Sequence, residues 1–426
     1  MRAGSRRLIV VLSILAVAAG CGSATEPSPS TAPAASDAGS HVPGPAGLDW
    51  ATAEVERPAG MDAAPPSIPP VGGGGGLGHP GHFSGQGNPY DLAAVGDRLI
   101  AVGYTYPDFH AVTWTSRDRH AWSLADLQPG TDDAFASGIA AGLDSGPTRG
   151  HEAIVGRIAN DAAAWTSTDG TTWTPATGGA AFVEAPQTEM TTVVAGPRGF
   201  VAGGSAGITN QPGRPRFWAS TDGTTWTRLP IDDPGGDGRV TAIAGGPLGF
   251  VAVGTTGPVG HATGSAVWTS ADGSSWRRLP DSPPLGKGQM LSVTAGGPGW
   301  VAVGSNLATT AAMVWLSSDG TRWDPAPAQD ALTYHDLGIT MVDVTTNPAG
   351  QVVAVGHFLF GTQYGQGTAW TSDNAGIAWT RMPDEAAFGQ GEPQTVIADG
   401  PGYVAAGTVG APDNYIPTVW LSPSNR

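Results

Sequence analysis

The chain has 426 residues, with 20 Lys and Arg against 36 Asp and Glu, for a formal net charge of −16. That balance repels polyanions and anionic lipid heads, so it excludes a nucleic-acid partner. Gly (65) and Pro (37) are abundant and only 13% of residues are charged, while a single cysteine permits no internal disulfide. An all-β domain built without covalent staples fits this composition.

The N-terminus carries Arg2, Arg6 and Arg7, then an apolar run, Leu8–Ala19, too short to span a bilayer as a mature helix. It ends in Val17-Ala18-Ala19-Gly20-Cys21, which resembles the lipobox of bacterial lipoproteins. The resemblance implies a signal peptide over 1–20 and a lipid on Cys21, the new N-terminus. It also implies a protein held at the extracytoplasmic face of the bacterial cell membrane. Residues 21–47 are mostly Pro, Ala and Ser and read as an extended, disordered tether, leaving 48–426 for the folded domain. Leu48–Val55, with Trp50, reads as an outer strand placed ahead of the sheets it would join. The Pro- and Gly-rich stretch 57–89 reads as a loop; His79 and His82 lack a local Cys or carboxylate, so no metal site is expected there.

The stretch Thr241–Pro280 sets the pattern for the rest. Thr241–Ala244 is a short strand, Phe250–Val253 a second and Val267–Ser270 a third; Asp272-Gly273 is a hairpin turn and Trp276–Leu279 a fourth strand. Versions of its Val-Ala-Val-Gly recur at Ala101–Gly103, Ile154–Gly156, Val201–Gly203, Val301–Gly304, Val353–Gly356 and Val404–Gly407. Each copy precedes a third-strand tryptophan: Trp114, Trp165, Trp218, Trp315, Trp370 and Trp420, beside Trp268. These indoles recur about every 50 residues, the period of propeller blades. The expected fold is therefore all-β, a seven-bladed β-propeller of four-stranded antiparallel blades. The seventh repeat ends at Trp420-Leu421-Ser422 without a fourth strand, so the N-terminal strand should complete the last blade and close the ring.

The hairpins between third and fourth strands repeat almost word for word, as in Ser167–Trp173 and Ser220–Trp226. Asp118, Asp169, Asp222, Asp272, Asp319 and Asn374 occupy the turn; an acid there accepts amide bonds, a following Gly permits positive φ, and the Trp plugs the hairpin. These hairpins resemble the Asp-box, or BNR repeat, Ser-x-Asp-x-Gly-x-x-Trp. Only Ser372–Trp379 has the full length, with Asn374 in the Asp place. The resemblance implies a β-propeller but spans hydrolases, receptors and assembly factors.

A sialidase-like glycoside hydrolase is the alternative function. By family resemblance it would need three arginines on a substrate carboxylate, a Tyr–Glu nucleophile pair, an Asp acid/base, an Arg-Ile-Pro near the first blade and, usually, six blades. The sequence has no Arg-Ile-Pro, and Arg214, Arg216 and Arg239 all come from the third and fourth repeats. The acids of Asp232–Gly238 are not spaced as in a calcium loop and read as a solvated turn. The reading is therefore a non-catalytic binding or assembly module, monomeric and without cofactor or metal, for a protein, peptide or glycan. The loops between second and third strands vary most and carry rings expected to be exposed. Tyr104, Tyr106, His110, Phe358, Tyr364 and Tyr415 are the candidate ligand-binding residues.

Overall fold

Alternating β-branched and small residues joined by tight turns fold each repeat into one antiparallel sheet. A computed structural model describes residues 55–56, 86–106, 109–119, 121–127, 132–233, 236–296, 299–309, 311–334, 338–359, 367–382, 388, 391–409 and 416–422. Blade 1 consists of Gln86–Val95, Arg98–Tyr106, Ala111–Ser116 and Ser123–Asp126. Blades 2 to 6 repeat this order over residues 134–175, 188–228, 239–278, 288–325 and 338–381. Blade 7 has Gly391–Asp399, Gly402–Val409 and Ile416–Leu421, and its fourth strand is Val55–Glu56 from the other end of the chain. The seven first strands touch one another in succession, the last against the first, so they surround the axis. The fold is a seven-bladed β-propeller.

Indole rings fill the space between blades. Eleven tryptophans are almost fully buried, among them all seven of the third strands. Each ring removes about 150–250 Å² from water, roughly 4–6 kcal/mol at about 25 cal/mol/Å² before entropy is charged. Four of the third-strand indoles also donate to the connection arriving from the preceding blade: Trp218 to Ala181 O (2.6 Å), Trp268 to Asp233 Oδ2 (3.2 Å), Trp315 to Pro284 O (2.9 Å) and Trp370 to Ala331 O (2.7 Å).

The glycine of the Val-Ala-Val-Gly motif has one geometric task. In every blade the first strand bulges, and the residue just before the bulge lies opposite this glycine. A Cβ on Gly103, Gly156, Gly204, Gly254, Gly304, Gly356 or Gly407 would fall 1.8–2.1 Å from a first-strand carbonyl oxygen. No side chain fits there. In the third repeat this register selects Gly204, one residue beyond the Val201–Gly203 reading, with Gly203 in the place of a valine.

The Ser-x-Asp hairpins are knotted by their own hydrogen bonds. Asp169 Oδ1 accepts from the amides of Thr171 (2.8 Å) and Thr172 (2.7 Å), and Ser167 Oγ accepts from Gly170 N (2.9 Å). Asp222, Asp272 and Asp319 accept amide bonds in the same way, as do Asp118 from Ala121 N (2.7 Å) and Asn374 from Ala378 N (2.8 Å). The amides of Arg322 and Thr321 hold the Asp319 carboxyl down to about 2. Four fourth-strand indoles close the turn, Trp122, Trp226, Trp323 and Trp379, each donating to the carbonyl three residues back. These acids serve the scaffold.

In blades 3, 4 and 6 the connection from the preceding blade covers the outer edge. Ile231–Asp232 adds a parallel fifth strand to Trp276–Arg277. Thr177 bridges in parallel to Thr225. At blade 6 a side chain does the same: Gln329 Oε1 accepts from Trp379 N (2.6 Å) while its Nε2 donates to Ile377 O (3.2 Å). Asp233 is therefore no solvated turn residue; with Trp268 it also holds the buried guanidinium of Arg278, 3.3 Å away.

Blade 7 is closed by the N-terminal strand and tied to blade 1. Val55 lies opposite Trp420 and Glu56 opposite Val419. Arg119 stands where the other hairpins have Gly, at φ +69°, and donates from Nε and Nη2 to Asp399 Oδ2, both at 2.7 Å. Elsewhere the same contact runs the other way, from a first-turn arginine to the next hairpin: Arg98 Nη1 to Asp169 O (2.6 Å) and Arg198 to Asp272 (3.1 Å). Two expectations change here. Trp226 precedes by two residues the strand position opposite Trp218, and the same count back from Val55 reaches Ala53 rather than Trp50. Trp50 itself lies outside the described residues. The expected loop 57–89 is shorter at its end, since blade 1 begins at Gln86; Cys21, the tether, His79 and His82 also lie outside the described residues.

Deleting residues through Glu56 bares the Ile416–Leu421 strand as an open edge and should cost about 2–4 kcal/mol. Deleting only through Gly47 should cost almost nothing. Thermal unfolding of the two truncations checks this, and equal midpoints would contradict the closing strand.

Candidate functional site

In six of the seven blades the first-strand bulge carries a polar side chain that ties neighbouring blades together around the axis. Thr191 Oγ1 donates to Val240 O (2.7 Å) and Thr241 Oγ1 to Met290 O (3.0 Å), joining blades 3 to 4 and 4 to 5. Ser292 Oγ donates to Asp343 Oδ1 (2.6 Å), joining 5 to 6. Asp343 Oδ2 accepts from Thr395 Oγ1 (3.0 Å) and Val396 N (2.8 Å), joining 6 to 7. Thr395 also reaches Asp91 Oδ1 (3.5 Å), and Asp91 Oδ2 accepts from Ile139 N (2.9 Å), joining 7 to 1 and 1 to 2. Between blades 2 and 3 the backbones themselves close in, and a Cβ on Gly138 would meet Thr192 Cα at 3.1 Å. Burial pushes the Asp91 carboxyl up to about 7, with the Asp343 charge adding to the rise against the pull of the Ile139 and Leu92 amides. Burial raises Asp343 as well. Every carboxylate oxygen of this belt has a partner, so it is a clamp.

The chemistry left open lies one step nearer the face that carries the second-to-third loops. Tyr90 is the bulge residue of blade 1 and is 36% exposed, the only aromatic among the described residues that is so open. Its ring lies 5.4 Å from that of Tyr104. Tyr104 lies against its phenol, and the charges of Arg239 and Arg157 act on it from blades 4 and 2. Around it, Tyr104 packs on Phe135 (4.9 Å) and Phe109 (5.6 Å). Arg157 lies 4.2 Å over the Phe135 ring and donates to Asp133 Oδ1 (3.2 Å). Arg239 pairs with Glu189 at 2.9 Å across the seam of blades 3 and 4. This mouth offers one open ring, Tyr90, backed by buried rings and set beside two arginine–carboxylate pairs, a surface that suits sugars, peptides or protein side chains.

The structure places the candidate ligand residues unevenly. Tyr104 (4% exposed) and Phe358 (1%) are core residues, which corrects the expectation of exposed rings: Tyr104 belongs to the aromatic cluster above, and Phe358 packs 4.2 Å from Tyr334 beneath Arg381. Both lie at strand positions whose side chains turn between blades, so the apolar ring is folded in. Beside Phe358, burial pulls the His357 imidazole down to about 4. The Tyr106 backbone continues the second strand of blade 1; its side chain, Tyr364 and Tyr415 lie outside the described residues. His110 is partly exposed, with Nδ1 3.0 Å from Asp126 and Nε2 3.1 Å from Asp132. Nor do Arg214 and Arg216 look onto the axis. With Arg228 they converge on Glu184, at 3.0, 2.6 and 3.0 Å, and their charge holds its carboxyl below the ordinary range. The hydrogen bonds of Arg216 lead that effect.

Tyr90 escaped the sequence reading because it falls in a first strand, outside the variable loops. One signal was available: Asn88-Pro89-Tyr90-Asp91 sets a ring and an acid where the corresponding bulge of blade 4 has Thr241-Ala242.

No protein-family model and no curated protein sequence matches the chain. Among solved structures it is similar to the periplasmic gluconolactonase of Pseudomonas aeruginosa, at 12% identity over 76% of this chain and 95% of that one, TM-score 0.47. It is also similar to a Trypanosoma rangeli sialidase, at 12% identity over 80% of this chain and 55% of that one, TM-score 0.45. An α-L-arabinofuranosidase of Fusarium graminearum gives 14% identity over 67% of this chain and 92% of that one, TM-score 0.43. Likeness at this level concerns the fold and says nothing of activity.

Folding raises the Asp91 pKa from 3.8 to about 7, so between those values the unfolded chain is ionised there and the folded one is not. This contribution to stability is therefore lost as pH rises from about 4 to about 7. Asp91→Asn removes it, and the melting temperature of the variant relative to wild type should rise by several degrees across that window. A difference that does not change with pH would contradict the buried acid.

Proposed function

We propose that the chain is a lipid-anchored, extracytoplasmic propeller acting as a non-catalytic binding or assembly module. Its partner, a protein, peptide or glycan, docks at the channel mouth of blades 1 to 4. The observation that carries this reading is Tyr90, an open ring on a bulge facing the axis and braced by Tyr104. A ring fixed in this way has little entropy left to lose on binding. The pairing of Arg157 and Arg239 with Asp133 and Glu189 favours a ligand of low net charge. Of the three arginines that a carboxylate-binding hydrolase would draw on, Arg214 and Arg216 are engaged by Glu184 and Arg239 by Glu189. The lipid on Cys21 and the tether of residues 21–47 would hold this face clear of the membrane.

Crosslinking on cells that express the full chain, followed by affinity measurement with the captured partner, tests this. Tyr90→Ser should weaken binding by about thirtyfold, the factor of an anchor worth about 2 kcal/mol. Cys21→Ser should move the protein out of the membrane fraction and leave that affinity unchanged. A folded Tyr90→Ser protein with wild-type affinity removes the site, and a wild-type N-terminus other than Cys21 removes the anchor.

A further inference from the structure

Blades 3 and 4 carry opposite surplus charge at the same structural position. In each, the fourth strand sets an arginine opposite the third-strand indole, Arg228 beside Trp218 and Arg278 beside Trp268. Each arginine meets a carboxylate of the connection that enters its blade, Glu184 at 3.0 Å and Asp233 at 3.3 Å. The charges that surround these two pairs differ in sign.

Three guanidiniums surround Glu184. Arg216 grips it through two bonds, Nε to Oε2 (2.7 Å) and Nη2 to Oε1 (2.6 Å), and makes one neutral pair with it. Arg214 and Arg228 are then two positive charges in excess, and no other carboxylate among the described residues pairs with either. Around Arg278 the sign is reversed. Asp233 neutralises it, so Asp237 (3.6 Å) and Asp281 (3.0 Å) are two negative charges in excess, with no second cation among the described residues paired to them. The outermost member of each group is open to solvent: the side chain of Arg214 is 45% exposed and that of Asp281 81%. Arg214 opens the third strand of blade 3, and Asp281 lies three residues past the fourth strand of blade 4. Both therefore sit at the end of the blades away from the Ser-x-Asp hairpins.

We infer that these two patches form one self-complementary docking surface, through which two copies of the chain join about a two-fold axis in place of the monomer expected from the sequence. A two-fold operation lays the positive patch of one copy on the negative patch of the other, and the reverse, so both surpluses are neutralised at once. An unrelated acidic partner could meet the Arg214 patch only while the Asp237 and Asp281 carboxylates of the next blade repel it. A second copy turns that repulsion into the second contact. Val183, exposed beside Glu184, adds an apolar side chain to the surface. The chain as a whole carries −16, which drives copies apart at long range. At physiological salt the screening length is about 8 Å, so patches in contact still attract while the remaining charge is largely hidden. The surface lies on third and fourth strands, the outer half of the blades, and does not depend on the reading of the channel mouth.

Sedimentation equilibrium of the purified full chain at about 0.15 M salt tests this. The wild type should dimerise at about 100 µM. Arg214→Glu and Asp281→Arg, both at exposed positions, should each weaken the dimer at least about tenfold, because like charges then meet in both contacts. Mixing the two variants should restore it: the reversed charges face each other in one contact and the native charges in the other. Thermal melting checks that each variant folds. Where a reversal unfolds the chain, the neutral Arg214→Gln and Asp281→Asn replace it and should weaken the dimer by about threefold. A wild type that stays monomeric, a dimer indifferent to these substitutions, or a mixture of the two folded charge-reversal variants that stays monomeric overturns the inference. Growth of the wild type beyond the dimer overturns its two-fold form.

Discussion

The carbonyl oxygen of the innermost strand and the glycine that faces it set the geometry on which the rest of this propeller depends. At seven equivalent places the first strand swings so close to the second that a methyl group there would lie inside an oxygen atom. The swing is the bulge, and the bulge is what aims one or two extra side chains at the axis. From these come Thr191, Thr241, Ser292, Asp343, Thr395 and Asp91, the hydrogen-bonded belt around the channel, and Tyr90, the open ring above it. A repeat without the glycine would still make a sheet. It would lose both the belt and the site.

The repeat and its period were legible because they answer to burial. A third-strand indole about every 50 residues, followed by a Ser-x-Asp hairpin, admits few architectures, and the blade count and the closing N-terminal strand follow from it. The finer register was less legible. The sequence marks Trp50 as the stray indole, while the pairing of Val55 with Trp420 moves the equivalent position to Ala53. Arg119 stands where the other hairpins have Gly, and it is the cation that binds Asp399 across the closing seam. Each of these depends on a partner more than 250 residues away, which no local pattern reports.

The site was the least legible part. Variable loops rich in rings suggested Tyr104 and Phe358 as exposed anchors, but strand pleat decides which way a ring turns, and both turn inward. Loop variability is a signal of free backbone, and it does not distinguish a ring that waits for a ligand from one that seals a seam. Tyr90 was hidden for the opposite reason, because it lies in a segment that looks like scaffold. Its exposure follows from the bulge, and the bulge is visible only once Gly103 is known to face Pro89. In the same way the arginines of blade 3 cluster as a hydrolase would require, but Glu184 of the same chain takes them.

The central claim is that the motif glycine is a matter of space and not of flexibility, and paired alanine substitutions measure it directly. A Cβ at Gly254 would lie 1.9 Å from Arg239 O, whereas at Gly286 nothing lies within 4 Å. Neither residue has a positive φ, so conformational strain does not separate them. Chemical denaturation should show Gly254→Ala less stable than wild type by about 3 kcal/mol or more, and Gly286→Ala within about 0.5 kcal/mol of it. Equal stabilities for the two variants would contradict the account.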